Sequence, residues 1–309
     1  MSDQPFRGVV APVLTPFTEK GAVDQRRFVG FCRWLMQEGV DGLAVFGTTS
    51  EANSLSMTEK TELLDAAIEA GIPAARFMPG TGACALPDAV ALTRHAVAKG
   101  CGAVLMLPPF YYKNVSDDGL FAFYSEVIQQ VGSAALRVYL YHIPPVSQVP
   151  ISLDLVARLR EAYPKTVVGL KDSSGDWNNT KAMLERFPGF GTFAGSEVFL
   201  LDTLRGGGAG CITASGNVNV AGCRKVFLNW QGPDADALQA EITAVRKAIQ
   251  AYPLIPALKR IVAHYHDDPD FARLRPPLQA LNAEMSGKLI ADLKALGFAM
   301  SPRATAAAA

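Results

Sequence analysis

Eight short apolar runs alternate with helical patterns along this chain of 309 residues, and that alternation leaves few folds open. The runs span residues 8–13, 42–46, 76–79, 103–107, 137–141, 167–171, 191–194 and 210–213. Between them lie segments with helical periodicity, among them 24–38, 58–70, 86–99, 117–131 and 153–162. Spacings of about 20 to 35 residues suit repeated βα units joined by right-handed crossovers. Eight units within about 230 residues match a closed barrel, which typically takes about 250. The expected fold class is therefore α/β, a (β/α)8 TIM barrel. An open doubly wound sheet is the runner-up, but no Gly-x-Gly-x-x-Gly follows the first run.

After residue 230 the strand signal stops, and 235–251, 254–265 and 286–296 read as helices. The expected division is a barrel over 1–230, a helical region over 231–303 and a frayed tail at 304–309, whose alanines have nothing to bury. Ser56 and Glu59 have the spacing of a capping box, and Ser152 and Asp176 are expected N-caps.

Composition narrows the function. With 49% hydrophobic residues, 19% charged and a formal net charge of zero, the chain can fill a large core but offers no electrostatic case for nucleic acid or an anionic membrane. No apolar run reaches the roughly 18 residues needed to span a bilayer. Met1-Ser2-Asp3-Gln4-Pro5 lacks the basic and apolar regions of a signal peptide. The 5 cysteines are widely spaced without a Cys-x-x-Cys pair, which suits reduced thiols in a cytoplasm. His264 and His266 have no carboxylate or third histidine at ligand spacing, so no metal is expected.

Working residues in such barrels come from the carboxyl ends of the strands. The sixth run, Val167-Val168-Gly169-Leu170-Lys171, ends in a lysine followed by Asp172-Ser173-Ser174-Gly175-Asp176. Burial there would disfavour the ammonium form, and a neutral amine attacks a ketone to form a Schiff base. A lone lysine in that place is more often a surface lysine at a strand exit. The other strand ends weigh toward chemistry: Gly47-Thr48-Thr49-Ser50-Glu51, Pro108-Pro109-Phe110-Tyr111-Tyr112, Tyr141-His142-Ile143-Pro144, Gly195-Ser196-Glu197 and Thr213-Ala214-Ser215-Gly216-Asn217. Successive N–H groups and hydroxyls at Gly47, Thr48 and Thr49 suit a carboxylate, and a tyrosine can relay protons. Taken singly, Gly-Thr-Thr is also an ordinary turn, Tyr111 and Tyr112 a packing pair, and His142 a satisfied loop histidine.

Together, Gly47-Thr48-Thr49-x-Glu51, Tyr111 after a Pro-Pro, Tyr141-x-x-Pro144 and Gly169-x-Lys171-Asp172 resemble the dihydrodipicolinate synthase/N-acetylneuraminate lyase family of class I aldolases. The likeness runs in order through nearly the whole chain, including Gly206-Gly207-Gly208-Ala209-Gly210 and Pro253-Leu254-Ile255-Pro256. It implies a lyase without metal or cofactor that binds pyruvate or a related 2-oxo acid as an imine on Lys171, with an aldehyde as second substrate. Tyr141 is implied as proton donor and acceptor. Thr48 would link it to Tyr111, which reaches across from a neighbouring subunit. Thr49, with Gly47 and the backbone of Thr48, would hold the substrate carboxylate, and the backbone at Gly195 and Ile212 would line the pocket. The family implies a cytoplasmic homotetramer, a dimer of dimers.

Departures from the family pattern bear on substrate. Dihydrodipicolinate synthases carry an arginine five residues after the strand tyrosine, and it binds the carboxylate of aspartate semialdehyde. Here Val146 occupies that place, and an apolar side chain cannot form a bidentate clamp. His142 stands where asparagine is usual and Ser50 where glycine is frequent. One extra residue lies within Lys113-Asn114-Val115-Ser116, and Thr48-Thr49 replaces the Ser-Thr common in N-acetylneuraminate lyases. The expected second substrate is therefore something other than aspartate semialdehyde. Aldol cleavage or dehydration of a 2-keto-3-deoxy sugar acid uses the same imine. True 4-hydroxy-tetrahydrodipicolinate synthesis and non-catalytic binding of a 2-oxo acid are also compatible with these residues.

Overall fold

Seven of the apolar runs form parallel strands in the computed structural model, which describes residues 6–302. The tail expected at 304–309 lies outside those residues. The strands are β1 (Gly8–Ala11), β2 (Gly42–Leu43), β3 (Val104–Met106), β4 (Val138–His142), β5 (Val167–Asp172), β6 (Gly191–Ala194) and β7 (Gly210–Ile212), in the order β2-β1-β7-β6-β5-β4-β3. Every described strand residue is buried, as expected of parallel strands covered on both faces.

The remaining run closes the ring without becoming a regular strand. A 3-10 turn at Ala74–Arg76 precedes it, and single parallel bridges join Phe77 to Leu43 and Gly80 to Leu105. Met78 and Gly80 donate to the Leu43 and Val45 carbonyls at 2.9 and 2.7 Å. On the other side Leu105 donates to Pro79 at 2.9 Å and accepts from Thr81 at 3.0 Å. Pro79 has no N–H to add to the ladder, so the expected strand at 76–79 becomes bridges. The result is a TIM barrel of eight strand segments.

Helices follow the predicted pattern closely, at Gln25–Gln37, Met57–Glu69, Leu86–Ala98, Asp117–Val131 and Leu153–Ala162. Glu59 N–H donates to Ser56 Oγ at 3.1 Å and Ser56 N–H to Glu59 Oε2 at 2.9 Å, which completes the capping box. Ser152 and Asp176 accept from the N–H groups of Leu155 and Asn178 at 3.0 and 2.9 Å. After β7 come Ala235–Gln250, Leu254–Tyr265 and Ala283–Ala295. The last starts before the predicted 286 because Asn282 caps it, accepting from Met285 N–H at 2.8 Å.

One cluster of buried residues contains no helix residue and fills the barrel, with Val10, Met78, Leu105, Tyr139, Phe193 and Ile212 among its members. Val138 and Leu140 pack outward against helices, whereas Tyr139 and Tyr141 belong to the interior. The pairing of β4 with β5 shifts between Val138↔Val167 and Tyr139↔Gly169, so Val168 is an extra residue in β5. Val168 joins the interior cluster while Val167 and Leu170 pack outward. The bulge therefore re-phases the strand, and Lys171 points inward where strict alternation from Val168 would point it out. Gly169 makes this possible: a Cβ there would lie 2.2 Å from the Tyr139 ring.

Gly80 is equally constrained at the closure, because an added Cβ would lie 2.2 Å from the Phe46 carbonyl oxygen. That oxygen cannot retreat easily, since Phe46 is already in the left-handed region at φ 61°. Gly80→Ala is expected to lower the unfolding free energy by about 1–3 kcal/mol, the usual cost of overpacking, in urea denaturation with an unchanged m-value. A wild-type midpoint would mean that residues 77–80 do not hold the closure.

Candidate active site

Lys171 occupies the penultimate position of β5, paired with Tyr141 on β4 and Phe193 on β6. It is 4% exposed, and its Nζ lies 4.3 Å from the centre of the Tyr141 ring. The aromatic face restrains the amine at the upper end of the barrel interior. Tyr141, 3% exposed, shares a hydrogen bond of 3.2 Å between its hydroxyl and Thr48 Oγ1. Three groups from β5, β4 and the loop after β2 thus meet in one place: an amine, a phenol and an alcohol.

The loop carrying Thr48 is a tight turn. Ser50 N–H donates to the Gly47 carbonyl and Glu51 N–H to the Thr48 carbonyl, each at 3.1 Å. Gly47 N–H donates to Ser50 Oγ at 3.2 Å, and Thr15 Oγ1 donates to the Ser50 carbonyl at 2.7 Å. The Ser50 hydroxyl therefore braces the turn from within. The N–H groups of Thr48 and Thr49 have no hydrogen-bond partner among the described residues. They are free to receive an anion, as successive N–H groups in a turn commonly do.

Gly195 follows β6 and Ile212 ends β7. Gly195 N–H donates to the Asp172 carbonyl at 2.6 Å, and a Cβ at Gly195 would lie 2.1 Å from Ser173 Oγ. Only glycine permits that approach of the loop after β6 to the end of β5. Ile212 is fully buried in the interior cluster. Asn217, also fully buried, accepts from Leu14 N–H at 3.0 Å and donates to the Pro12 carbonyl at 2.9 Å. It stitches the segment after β1 to that after β7. Nothing in the sequence marked this role beyond its place after a strand end.

Residues 5–296 match the model of the dihydrodipicolinate synthetase family. The chain belongs to this family. It is a lyase of the dihydrodipicolinate synthase type, 38% identical over 280 residues to a Chloroflexus aurantiacus protein described as an uncharacterized DapA-like lyase. That match covers 90% of this chain and 93% of the relative. The 4-hydroxy-tetrahydrodipicolinate synthase of Rhodospirillum centenum is 33% identical, covering 78% of this chain and 79% of its own. Among solved structures, dihydrodipicolinate synthase from Agrobacterium tumefaciens superposes with a TM-score of 0.88 at 32% identity, covering 94% and 99% of the two chains.

Three positions beside these residues have well-defined surroundings. Val146 sits on a short helix, Pro144–Ser147, and is 61% exposed, so no guanidinium stands at that place; the cation beside it is Lys113, whose Nζ donates to the Ser147 carbonyl at 2.8 Å. His142 follows the outward face of β4, and its Nδ1 accepts from Ile151 N–H at 3.0 Å. A backbone N–H can only donate, so Nδ1 carries no proton. Burial lowers the histidine's pKa, with nearby Asp172 opposing. It is a neutral brace, not a base in the barrel. Glu197 is fully buried, where it accepts from the Thr213 hydroxyl and lies 3.7 Å from Arg246 Nη1, so it ties the loop after β6 to the helix Ala235–Gln250.

The structure does not bring Tyr111 to Thr48 within one chain. Tyr111 is 74% exposed and packs edge-on against Tyr112, with ring centres 5.4 Å apart. Among the described residues no group of three or more His, Cys, Asp or Glu side chains is placed to hold a metal ion. No described helix is long and apolar enough to cross a membrane.

Asp172 anchors the chain just beyond Lys171. Its carboxylate accepts from Ser174 N–H and Asn179 Nδ2, each at 2.9 Å, and from Thr180 Oγ1 at 2.6 Å. Asp172→Asn would set an amide N–H₂ against one of these donors. An expected loss of about 1–3 kcal/mol, the cost of a buried unsatisfied polar group, is measurable by thermal or urea unfolding.

Proposed function

We propose that the protein is a class I aldolase that holds pyruvate or a related 2-oxo acid as an imine on Lys171 and joins it to, or cleaves it from, an aldehyde other than aspartate semialdehyde. The observation that carries this reading is the buried Lys171 amine against Tyr141, whose hydroxyl is bonded to Thr48. The amine adds to the C2 carbonyl and water leaves, forming the imine. The imine withdraws electrons from C3, Tyr141 carries away the C3 proton, and the resulting enamine attacks the aldehyde carbon, whose oxygen takes that proton back from Tyr141 as the C=O π bond breaks. Water then hydrolyses the imine and frees Lys171. Thr48 and Thr49 N–H groups with the Thr49 hydroxyl hold the substrate carboxylate, and the backbone at Gly47, Gly195 and Ile212 shapes the pocket. No cofactor is assigned a step.

Tyr111 completes the site of a neighbouring subunit in a homotetramer built as a dimer of dimers, a role that its exposure in the single chain supports. This function goes with a cytoplasmic protein whose catalytic barrel spans 1–230 and whose helical region spans 231–303. Dehydration of a 2-keto-3-deoxy sugar acid is the second reading. Val146 suits both readings, since neither needs a guanidinium there for an acidic aldehyde.

Pyruvate with borohydride is expected to add one covalent adduct per chain, located at Lys171 by intact mass and peptide mapping. Lys171→Arg should take none, because a guanidinium stays protonated. Tyr141→Phe should still be trapped while turnover falls roughly 10²-fold, the scale of lost acid–base catalysis. Label on another lysine would overturn the imine assignment.

A coupled assay separates the second substrates. The missing charge-assisted pair, about 1.5–3 kcal/mol, is expected to leave kcat/KM for aspartate semialdehyde about 10- to 150-fold below that of an enzyme with the arginine clamp, so that 2-keto-3-deoxy sugar acids are the better substrates. Equal or better condensation with aspartate semialdehyde would restore the lysine-pathway reaction.

A further inference from the structure

Directly after the Thr48-Thr49 turn, Glu51 adopts the left-handed conformation at φ 56°. A residue with a Cβ keeps that conformation only when its surroundings hold it there. What holds it lies across the molecule. The Glu51 carboxylate is ion-paired with Lys259 Nζ on the helix Leu254–Tyr265, and both side chains are 0% exposed. Lys259 Nζ also donates to the Arg273 carbonyl at 2.7 Å and lies 4.4 Å from the centre of the Phe17 ring. The second Glu51 oxygen accepts from Arg275 N–H at 3.3 Å. The Arg275 guanidinium in turn donates to the Ser54 and Gly21 carbonyls at 2.6 and 2.7 Å, and to Glu59 Oε2 at 2.9 Å. The turn is therefore held on its far side by the helical region, through one charged residue that follows it.

We propose that the buried Glu51–Lys259 pair is a positioning device that aims the Thr48 and Thr49 N–H groups at the substrate carboxylate, which makes the C-terminal helices a working part of the site. This rests on the reading of that turn as the carboxylate subsite. Glu51 N–H closes the turn by donating to the Thr48 carbonyl at 3.1 Å, so a rotation at Glu51 moves the Thr48–Thr49 peptide, which carries the free N–H of Thr49. Removing one member of a buried pair leaves an uncompensated charge that pulls its neighbours out of place.

The pair also gives the device a pH signature. Burial pushes Lys259 down to about 8, against the opposing pull of Glu51, and the positive charge of Arg275 adds to the lowering. The groups facing Lys259 are Glu51 from the turn, Arg275 and the Arg273 carbonyl from the segment before the last helix, and Phe17 from the loop after β1. As pH rises through about 8, Lys259 loses its proton and Glu51 its buried counter-charge, so carboxylate binding weakens in the alkaline range.

The test measures the adduct formed with pyruvate and cyanoborohydride by intact mass, as a function of pyruvate concentration and from about pH 7 to 9, a range that brackets the lowered lysine. Glu51→Gln and Lys259→Met are expected to raise half-saturating pyruvate by about tenfold or more, while one adduct per chain is still reached at saturation. Lys259→Arg keeps the charge and should stay within about threefold of wild type, with its alkaline weakening moved to higher pH. Variants that melt at lower temperature yet keep the wild-type half-saturation would show a merely structural pair and overturn the proposal. So would an Arg variant with the wild-type pH profile. If Lys259→Met does not fold, Glu51→Gln, which preserves size and hydrogen-bonding capacity, decides alone. Wild-type protein that takes no adduct at any concentration overturns the Schiff-base reading itself, a result distinct from a normal adduct with unshifted variants.

Discussion

Because the pairing of β4 with β5 slips by one residue beside Tyr139, Val168 and Gly169 both turn toward the barrel interior, and the alternation that follows carries Lys171 inward with Tyr141. Bulges in strands commonly re-aim a side chain near a working site. The consequences spread outward. His142 and Asp172, next in their strands and paired with each other, face the helices instead. There the histidine accepts a backbone proton and the aspartate takes three donors from the start of the following helix and the loop before it. One register shift thus divides adjacent residues into an inner set suited to chemistry and an outer set that braces them.

The inner set also depends on how closely backbones approach at glycines. Gly169 leaves room for the Tyr139 ring, Gly195 lets the loop after β6 touch the end of β5, and Gly80 lets the irregular eighth segment press against Phe46. A methyl group at any of them would meet an atom at about 2 Å, and protein interiors packed like organic crystals have no slack to absorb that. The barrel is therefore closed by small residues as much as by hydrogen bonds. That explains how a segment containing Pro79 can serve as a strand.

Charge is used sparingly inside this neutral chain, and two buried pairs connect parts distant in sequence. Glu51 meets Lys259, and Glu197 meets Arg246, so the two loops after β2 and β6 are each fastened to a helix that follows the barrel. Glu59 is held down to about 2 by Arg275 chiefly, which joins the capping box of the helix Met57–Glu69 to the same helical region. Such pairs are weak evidence of stability, since apolar replacements often do as well. Their directionality is what suits them to hold a turn in a left-handed conformation.

Much of the architecture was legible in the residues. Short apolar runs marked the eight strand segments and period-3.6 patterning the helices, because burial on both sheet faces leaves a strong apolar signature. The cap residues Ser56, Ser152 and Asp176 were readable because capping is local. Lys171, Tyr141 and Thr48 could be named from their places at strand ends and from the family likeness. The inward aim of Lys171 could not be, since a bulge is a relation between two strands and the lone hint was Gly169 inside an apolar run. The partners of Glu51 and Glu197 were equally hidden, since both lie far along the chain with no spacing rule to link them. The neutral role of His142 follows from one backbone N–H at Ile151. The sequence by itself determined the element order, the caps and which side chains stand at the strand ends, because those depend on neighbours within a few residues. Only the tertiary structure decided which face each group occupies and which distant charge holds it there, because register and buried pairing are properties of segments brought together by folding.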